Sequence, residues 1–237
     1  MKNKIIQLIK RNRISTTEVA DALGKSGVVK NVHSINSGMH KVGEVQFFYA
    51  YNKSNWELHE QIEKAETGKI AFFEAIDCED HALFGELVSK YLLLYKQIEA
   101  IVINGYVRDA HTIQKENFPV WMTGKTPIGC FNKKNKKAID KVLLNSFKSK
   151  YEGGIMVCDD CGVVLIEPHE INETLYDKLK FIEFQEDIWF FCLDRHKMST
   201  YEIVCQKKYL SPNGLIDNES LDKLSQFSSK IDRGNEK

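Results

Sequence analysis

The chain lacks a net charge, since 33 Lys and Arg residues balance 33 Asp and Glu. No field of either sign draws it to nucleic acid or to an anionic membrane, which disfavours a general nucleic-acid binder. It also lacks a long apolar run. Ile5, Ile6, Leu8 and Ile9 follow a basic start, but Gln7 interrupts them and Lys10-Arg11 ends them. That is too short and too polar for a signal peptide, and no later stretch approaches the roughly 20 apolar residues of a membrane helix. A cytoplasmic protein without membrane contact is expected. Cys158-Asp159-Asp160-Cys161 is a lone CxxC: the other four cysteines (Cys78, Cys130, Cys192, Cys205) offer no second pair at zinc-ligand spacing. A thioredoxin-like role is excluded too, because that motif opens a helix and this one bridges two apolar runs. There is no HExxH, no Gly-rich phosphate loop and no internal repeat.

What is present suits one good core: 237 residues, of which 43% are apolar. Residues 2–12 carry a weak helical spacing. Ser15-Thr16-Thr17-Glu18 has the form of a capping box for a helix that Gly24 stops. Strands are expected at 41–51, 69–76, 99–104 and 118–123. Helices are expected at 56–66, with Asn55 as cap and Gly68 as terminator, and at 82–94 and 109–116. This alternation predicts an α/β layer arrangement with parallel pairs. Residues 153–166 read as two strands joined by a turn at Asp159-Asp160-Cys161-Gly162. Pro168 is expected to open one helix and Gln185 a second, ending near Arg195; Ser199-Thr200-Tyr201-Glu202 forms another capping box, and Leu221, Leu224, Phe227 and Ile231 mark a last helix. The basic run Asn132 to Lys137 reads as a solvated loop, because it has no interleaved aromatics.

The candidate site centres on Asn104-Gly105-Tyr106-Val107-Arg108-Asp109. It follows the apolar run Ala100-Ile101-Val102-Ile103, and the carboxyl ends of such strands open onto a crevice. A guanidinium offers a planar fork for a carboxylate, and a neighbouring carboxylate can hold a hard cation or its waters. Read from the residues alone, Asp109 as a plain helix cap with Arg108 as its surface partner is the better account of the pair. Phe84-Gly85-Glu86-Leu87 has the same ambiguity: Gly85 permits close packing, or it bares amides near a helix start that suit an anion.

These blocks, followed by Phe118-Pro119-Val120-Trp121 and Gly124-Lys125-Thr126-Pro127, resemble the successive signatures of the RraA-like family. That family includes 4-hydroxy-4-methyl-2-oxoglutarate aldolases, proteins once labelled demethylmenaquinone methyltransferases, and regulators that bind ribonuclease E. The resemblance covers most of residues 14–170. It implies a three-layer β/β/α sandwich in an RraA-like domain, residues 1–170, with an N-terminal helix within 1–14. A helical C-terminal extension, 171–237, is expected to pack on the same domain or on a neighbouring protomer. The resemblance further implies a homotrimer or trimer-based hexamer with its site between protomers. Carried over by position, Gly85, Glu86, Leu87 and Val88 would bind the pyruvate-like end of a keto-acid substrate. Arg108 would bind the keto acid and stabilise an enolate oxygen, Asp109 would anchor Mg²⁺ or Mn²⁺, and Glu86 would orient a metal-bound water for proton transfer. Such a site suits a metal-dependent lyase of the aldolase or oxaloacetate decarboxylase type. Two further expectations are a non-catalytic regulator that binds a partner enzyme and a different reaction on a sugar-derived acid.

The sequence departs from the aldolase branch in three places. Asn104 stands where Asp is common, and His111 where an acid is. Between Glu86 and Arg108 lie 21 residues instead of about twenty, with the extra one expected in the turn near 95–99. From about Phe181 onward no family pattern matches.

Overall fold

The computed structural model describes residues 1–211 and 215–235, which fall into two compact units, Lys2–Ile171 and Asn172–Lys237. The larger unit opens with helix α1 (Lys2–Asn12), which buries Ile5 and Ile9, and α2 (Thr16–Ala22). The capping box at α2 is formed: Ser15 Oγ accepts the Glu18 amide at 3.2 Å while the Glu18 carboxylate accepts the Ser15 amide at 2.7 Å. Gly24 follows with φ +71°, the left-handed turn that ends such a helix without Cβ strain.

Eight strands form one sheet: β1 (His33–Ser34), β2 (Lys41–Tyr51), β3 (Ile70–Ile76), β4 (Ala82–Phe84), β5 (Ala100–Val107), β6 (Val120–Lys125), β7 (Ile155–Asp159) and β8 (Gly162–Ile166). Their order is β1-β6-β5-β3-β2-β7-β8, with β4 beside β5. The four central strands, β6, β5, β3 and β2, are mutually parallel, each connected through a helix, as the strand and helix alternation requires. β7 and β8 form an antiparallel hairpin that continues the sheet from β2. The ends of the sheet approach each other, because the Val29 amide donates to Val163 and the Leu165 amide to Gly27, at 2.9 and 2.8 Å. The sheet is therefore curled and nearly closed.

Both faces of the parallel strands are covered, which is why they read as continuous apolar runs. One face packs Phe48, Phe73, Ile101, Ile103 and Val120 with side chains of α3 (Trp56–Ile62), α4 (Glu86–Lys90) and α5 (Ala110–Lys115). The other packs Phe47, Phe72, Val102 and Trp121 against Met156, Val163 and Leu165 of the hairpin. The result is the α/β, β/β/α layering expected of the family. α6 (Lys141–Tyr151) adds Tyr151 to this second core, its ring 4.0 Å from that of Phe72.

Several element boundaries differ from the sequence reading. Ala82–Phe84 is a strand, not the first turn of a helix: its apolar residues are buried, and a three-residue apolar run carries no periodicity to separate strand from helix. α3 stops at Ile62, before Gly68, and Asn55 at its N-cap position makes no side-chain cap bond; its side-chain Nδ2 instead donates to the Leu83 carbonyl at 2.8 Å. α6 was not anticipated, since its residues are mostly exposed and weakly amphipathic. In the Lys-rich loop the lysines are exposed, and Asn135 anchors the segment to the Glu57 carboxylate at 3.1 Å.

Pro168 opens a 3-10 turn, Pro168–Glu170, at the end of the larger unit, and in the smaller unit the expected pair of helices is one continuous helix, α7 (Glu173–His196). Asn172 caps it, accepting the Leu175 amide at 2.9 Å. No Gly or Pro lies between Glu173 and His196, so nothing breaks the helix at Gln185. The Ser199–Glu202 capping box is formed and leads into a π turn, Tyr201–Cys205. α8 (Asn218–Asn235) closes the unit around Ile188, Cys192, Ile203, Tyr209 and Leu224.

Candidate active site

The residues around the exit of β5 are held by backbone first. The Arg108 amide donates to the Phe84 carbonyl at 3.1 Å, which ties the end of β5 to the end of β4. Gly85 follows as the N-cap of α4, and its carbonyl accepts both the Ser89 amide at 3.1 Å and the Ser89 hydroxyl at 3.0 Å. Ser89 is wholly buried, so Gly85 is fixed from beneath. The Thr126 amide donates to the Val107 carbonyl at 3.0 Å, fixing the other flank.

Asp109 adopts a left-handed conformation, φ 54° and ψ 31°, and does not cap its own helix α5 with its side chain. Its carboxylate turns back across the strand exit and accepts the Glu86 amide at 3.2 Å. This decides between the alternatives left open by the residues: Asp109 is a bridge from α5 to the start of α4, not a plain cap. Arg108 Nε lies 3.8 Å from Asp109 Oδ2, with both side chains about half exposed. An ion pair so open and so long contributes little to stability, so both charges remain available to a ligand.

Two glycines make room for this pair. A Cβ on Gly85 would lie 2.1 Å from Asp109 Oδ2 and 2.8 Å from Arg108 Cγ, and one on Gly129 would lie 2.8 Å from Arg108 Nη1. At Gly85 a Cβ would meet the stem of Arg108 as well as the Asp109 carboxylate, so the strand exit would have to shift; at Gly129 it would meet only the flexible tip of Arg108, which can give way. Gly129, from a chain segment bridged to Ala82, had no distinguishing signal in the sequence, and neither did Ser89.

The structure thus brings together Gly85, the Glu86 amide, Arg108 and Asp109. Leu87 and Val88 follow in the first turn of α4, where amides lack intrahelical partners; Val88 is buried, while the Leu87 side chain is 80% exposed. The Glu86 side chain is half-buried at the same helix start. After Lys90 the helix widens into a π turn, Tyr91–Tyr95, in which the Lys96 amide reaches back to the Tyr91 carbonyl at 3.0 Å.

Asn104 and His111 stand apart from this group. Asn104 Nδ2 donates to Glu74 Oε1 at 2.7 Å across β3 and β5, and Thr123 Oγ1 approaches Asn104 Oδ1 at 3.5 Å. Glu74 is 5% exposed, and burial pushes its carboxyl up to about 7, against the opposing effects of the Asn104 hydrogen bond and the Lys150 charge. His111 is exposed at the start of α5. A separate group, Glu79, Asp80 and His81, places ligand atoms within 4.8 Å of one another in the loop before β4.

The fold and this site define an α/β protein with an Arg-Asp pair set against the start of a helix. The sequence pattern of the RraA-like family (Aldolase/RraA) matches residues 16–165, and the chain belongs to that family. It is 25% identical over 189 residues to Protein DlpA of Legionella pneumophila, which covers 74% of this chain and 29% of DlpA. The chain thus spans less than a third of that curated relative. Among solved structures, an uncharacterized protein from Pseudomonas syringae superposes with a TM-score of 0.65 at 20% identity, covering 85% of this chain and 96% of the other. Streptomyces coelicolor RraAS2, described as an unusual member of the RNase ES inhibitor RraA family, gives 0.59 at 17% identity over 82% and 98%. These likenesses establish the fold. The family accommodates both aldolase-type lyases and regulatory proteins. Among the described residues, no helix is long and apolar enough to cross a membrane.

Proposed function

We propose that the chain is a divalent-metal-dependent lyase that cleaves a C–C bond of a pyruvate-derived 2-keto acid. The observation that carries this reading is the turned-back Asp109: its carboxylate and the stem of the Arg108 side chain share the small space that Gly85 leaves open at the start of α4. The substrate carboxylate would meet the amides of Leu87 and Val88, next to Gly85, and the helix dipole favours a negative charge there. Arg108 would take the 2-keto oxygen and stabilise the enolate as the C–C bond breaks. Glu86 would orient a water that returns a proton to the enolate carbon.

The donor set fits Mg²⁺ or Mn²⁺. Asp109 presents one half-exposed carboxylate, and Mg²⁺ commonly keeps several waters and completes its shell with substrate oxygens. When bound, the ion would supply further polarisation of the keto oxygen. Turnover of oxaloacetate and of a 4-hydroxy-2-oxo acid, followed as pyruvate release with Mg²⁺ or Mn²⁺ and after chelation, tests the reading. Metal-dependent release that Arg108→Ala lowers by about 10²–10³-fold is expected. A wild type indistinguishable from that variant across a keto-acid panel would refute it.

A second reading has its own observation. Leu87, Leu94 and Tyr95 are 80%, 53% and 74% exposed along α4 and its π extension, beside the site. As a lyase the protein would cover them in a homotrimer or trimer-based hexamer. As a regulator it would cover them with a partner enzyme, and alanine at Arg108 and Asp109 would leave that binding intact. A reaction on a sugar-derived acid would use the same Arg-Asp pair and show itself in the substrate panel.

A further inference from the structure

Glu79, Asp80 and His81, three successive residues before β4, each bring a ligand atom to within 4.8 Å of the other two. Their loop is tied down by backbone. The His81 amide donates to the Cys78 carbonyl at 3.0 Å, and the Ala82 amide, next along, to the Ile128 carbonyl at 2.8 Å. The side chains of Glu79 and Asp80 are 66% and 62% exposed, whereas that of His81 is 15% exposed, its ring centre 5.9 Å from that of Phe131. His81 Nδ1 is wholly buried and, among the described residues, makes no hydrogen bond. A buried ring nitrogen left without a partner is costly, so it calls for a partner of another kind. Asp80 Oδ1 lies 3.4 Å from that nitrogen, without the geometry of a hydrogen bond. The spacing has another meaning: bonds of about 2.0–2.2 Å at the tetrahedral angle set two ligands of one metal ion roughly 3.4 Å apart.

We propose that Glu79, Asp80 and His81 form a binding site for a divalent transition-metal ion of the Zn²⁺ class, with water in the remaining position. Two carboxylates and one imidazole suit Zn²⁺ or Co²⁺, whereas Mg²⁺ and Ca²⁺ take oxygen ligands. The donor set therefore differs in kind from Asp109, which offers oxygen alone. One cation already stands beside the group: Lys53 Nζ lies 2.7 Å from Glu79 Oε2. That pair is largely exposed, so it contributes little and yields to a divalent ion, or keeps one Glu79 oxygen while the metal takes the other. The site has a place in the fold as well. His81 immediately precedes β4 and Gly85 immediately follows it, so a bound ion would fasten the loop to the head of the strand whose far end presents Gly85.

The proposal is independent of which reaction Arg108 and Asp109 perform. Zn²⁺ is titrated into the full-length protein by calorimetry with excess Mg²⁺ present, and Co²⁺ is added separately for its visible absorption. One equivalent of Zn²⁺ is expected to bind, and Co²⁺ should give the intense bands of a four-coordinate site. His81→Ala should weaken Zn²⁺ binding by at least the roughly 10–100-fold that loss of a mere outer partner of a metal ligand costs. Asp80→Asn should weaken it as well, while Asp109→Asn should leave it unchanged. Where His81→Ala folds poorly, nitrogen NMR of the wild type decides: Zn²⁺ should shift the ring resonances of His81 and leave those of the other histidines in place. Absence of saturable Zn²⁺ binding, binding that survives His81→Ala unchanged, or ring shifts at another histidine instead would overturn the site. Loss of the Zn²⁺ equivalent in Asp109→Asn would overturn it too, by placing the ion at the strand exit.

Discussion

Asn104 lies within β5 and Arg108 just past its end, yet their surroundings are opposite. Around Asn104, the polar groups are closed in: Glu74 is buried, its carboxyl is bonded to the Asn104 amide, and burial has raised its pKa toward neutrality. Around Arg108, charge is held open. Arg108 and Asp109 are half exposed, their mutual distance is long, and two glycines keep Cβ atoms away. A buried carboxyl tends to give up its charge, because desolvation penalises the ionised form. An open pair keeps both charges and offers them to something else. Open charge therefore belongs to the end of the strand, and cohesion between strands to the stretch before it.

The sharpest way to break this contrast is to exchange the two roles by mutation. Arg108→Ala should cost about 10²–10³-fold in turnover, the usual effect of removing a donor to a developing oxyanion, with little change in melting temperature. A large loss of stability instead would show that Arg108 is structural. Glu74→Gln should do the reverse. Below its usual value of 4.5 Glu74 is neutral in both folded and unfolded chains; above it the unfolded chain releases a proton that the folded one keeps up to about 7. Wild-type stability therefore falls as pH rises through that window, by roughly 3 kcal/mol at most, and levels off above it. Gln keeps an acceptor for Asn104 and has no proton to lose, so thermal denaturation from pH 4 to 8 should show a flatter profile and greater stability at pH 8. Parallel profiles for the two proteins would refute the buried-carboxyl account.

Much of this contrast was legible in residue type. Runs such as Ala100 to Ile103 marked the parallel strands, because strands covered on both faces need apolar side chains at every position. The Gly85-Glu86 and Arg108-Asp109 blocks were legible as two halves of one site. What stayed hidden depended on tertiary proximity. Gly129 meets Arg108 only because Arg108 arrives from elsewhere in the chain, and Ser89 reaches the site only through its bonds to the Gly85 carbonyl. Glu74 carried a signal that went unread, an acid inside the otherwise apolar Ile70–Ile76. β4 was hidden by its shortness and α7 by the expectation of a break that no residue there enforces.

Gly85→Ala tests the steric side of the open cluster. The new Cβ would lie 2.1 Å from a carboxylate oxygen, so Asp109 must swing away from the Glu86 amide or the strand exit must shift. Overpacking of this kind costs roughly 1–3 kcal/mol. Turnover should fall together with stability, unlike in either earlier variant, and a crystal structure of the variant should show Asp109 displaced. An Asp109 still bonded to the Glu86 amide would mean that the glycine is not what opens the site.

The smallest effect is expected at Ser89, which joins the two regimes, being fully buried like Glu74 yet attached to the open site through Gly85. Ser89→Ala removes the hydroxyl bond to the Gly85 carbonyl but leaves the Ser89 backbone amide bond to that same oxygen. The carbonyl therefore keeps a partner, and the loss should be about 1 kcal/mol in urea denaturation. Because Gly85 sets where the Glu86 amide points, a small rise in KM for the keto acid should accompany it. A stability loss of that size with KM unchanged would place Ser89 wholly with the closed cluster, and show that the amide bond alone is enough to aim the helix start at Asp109.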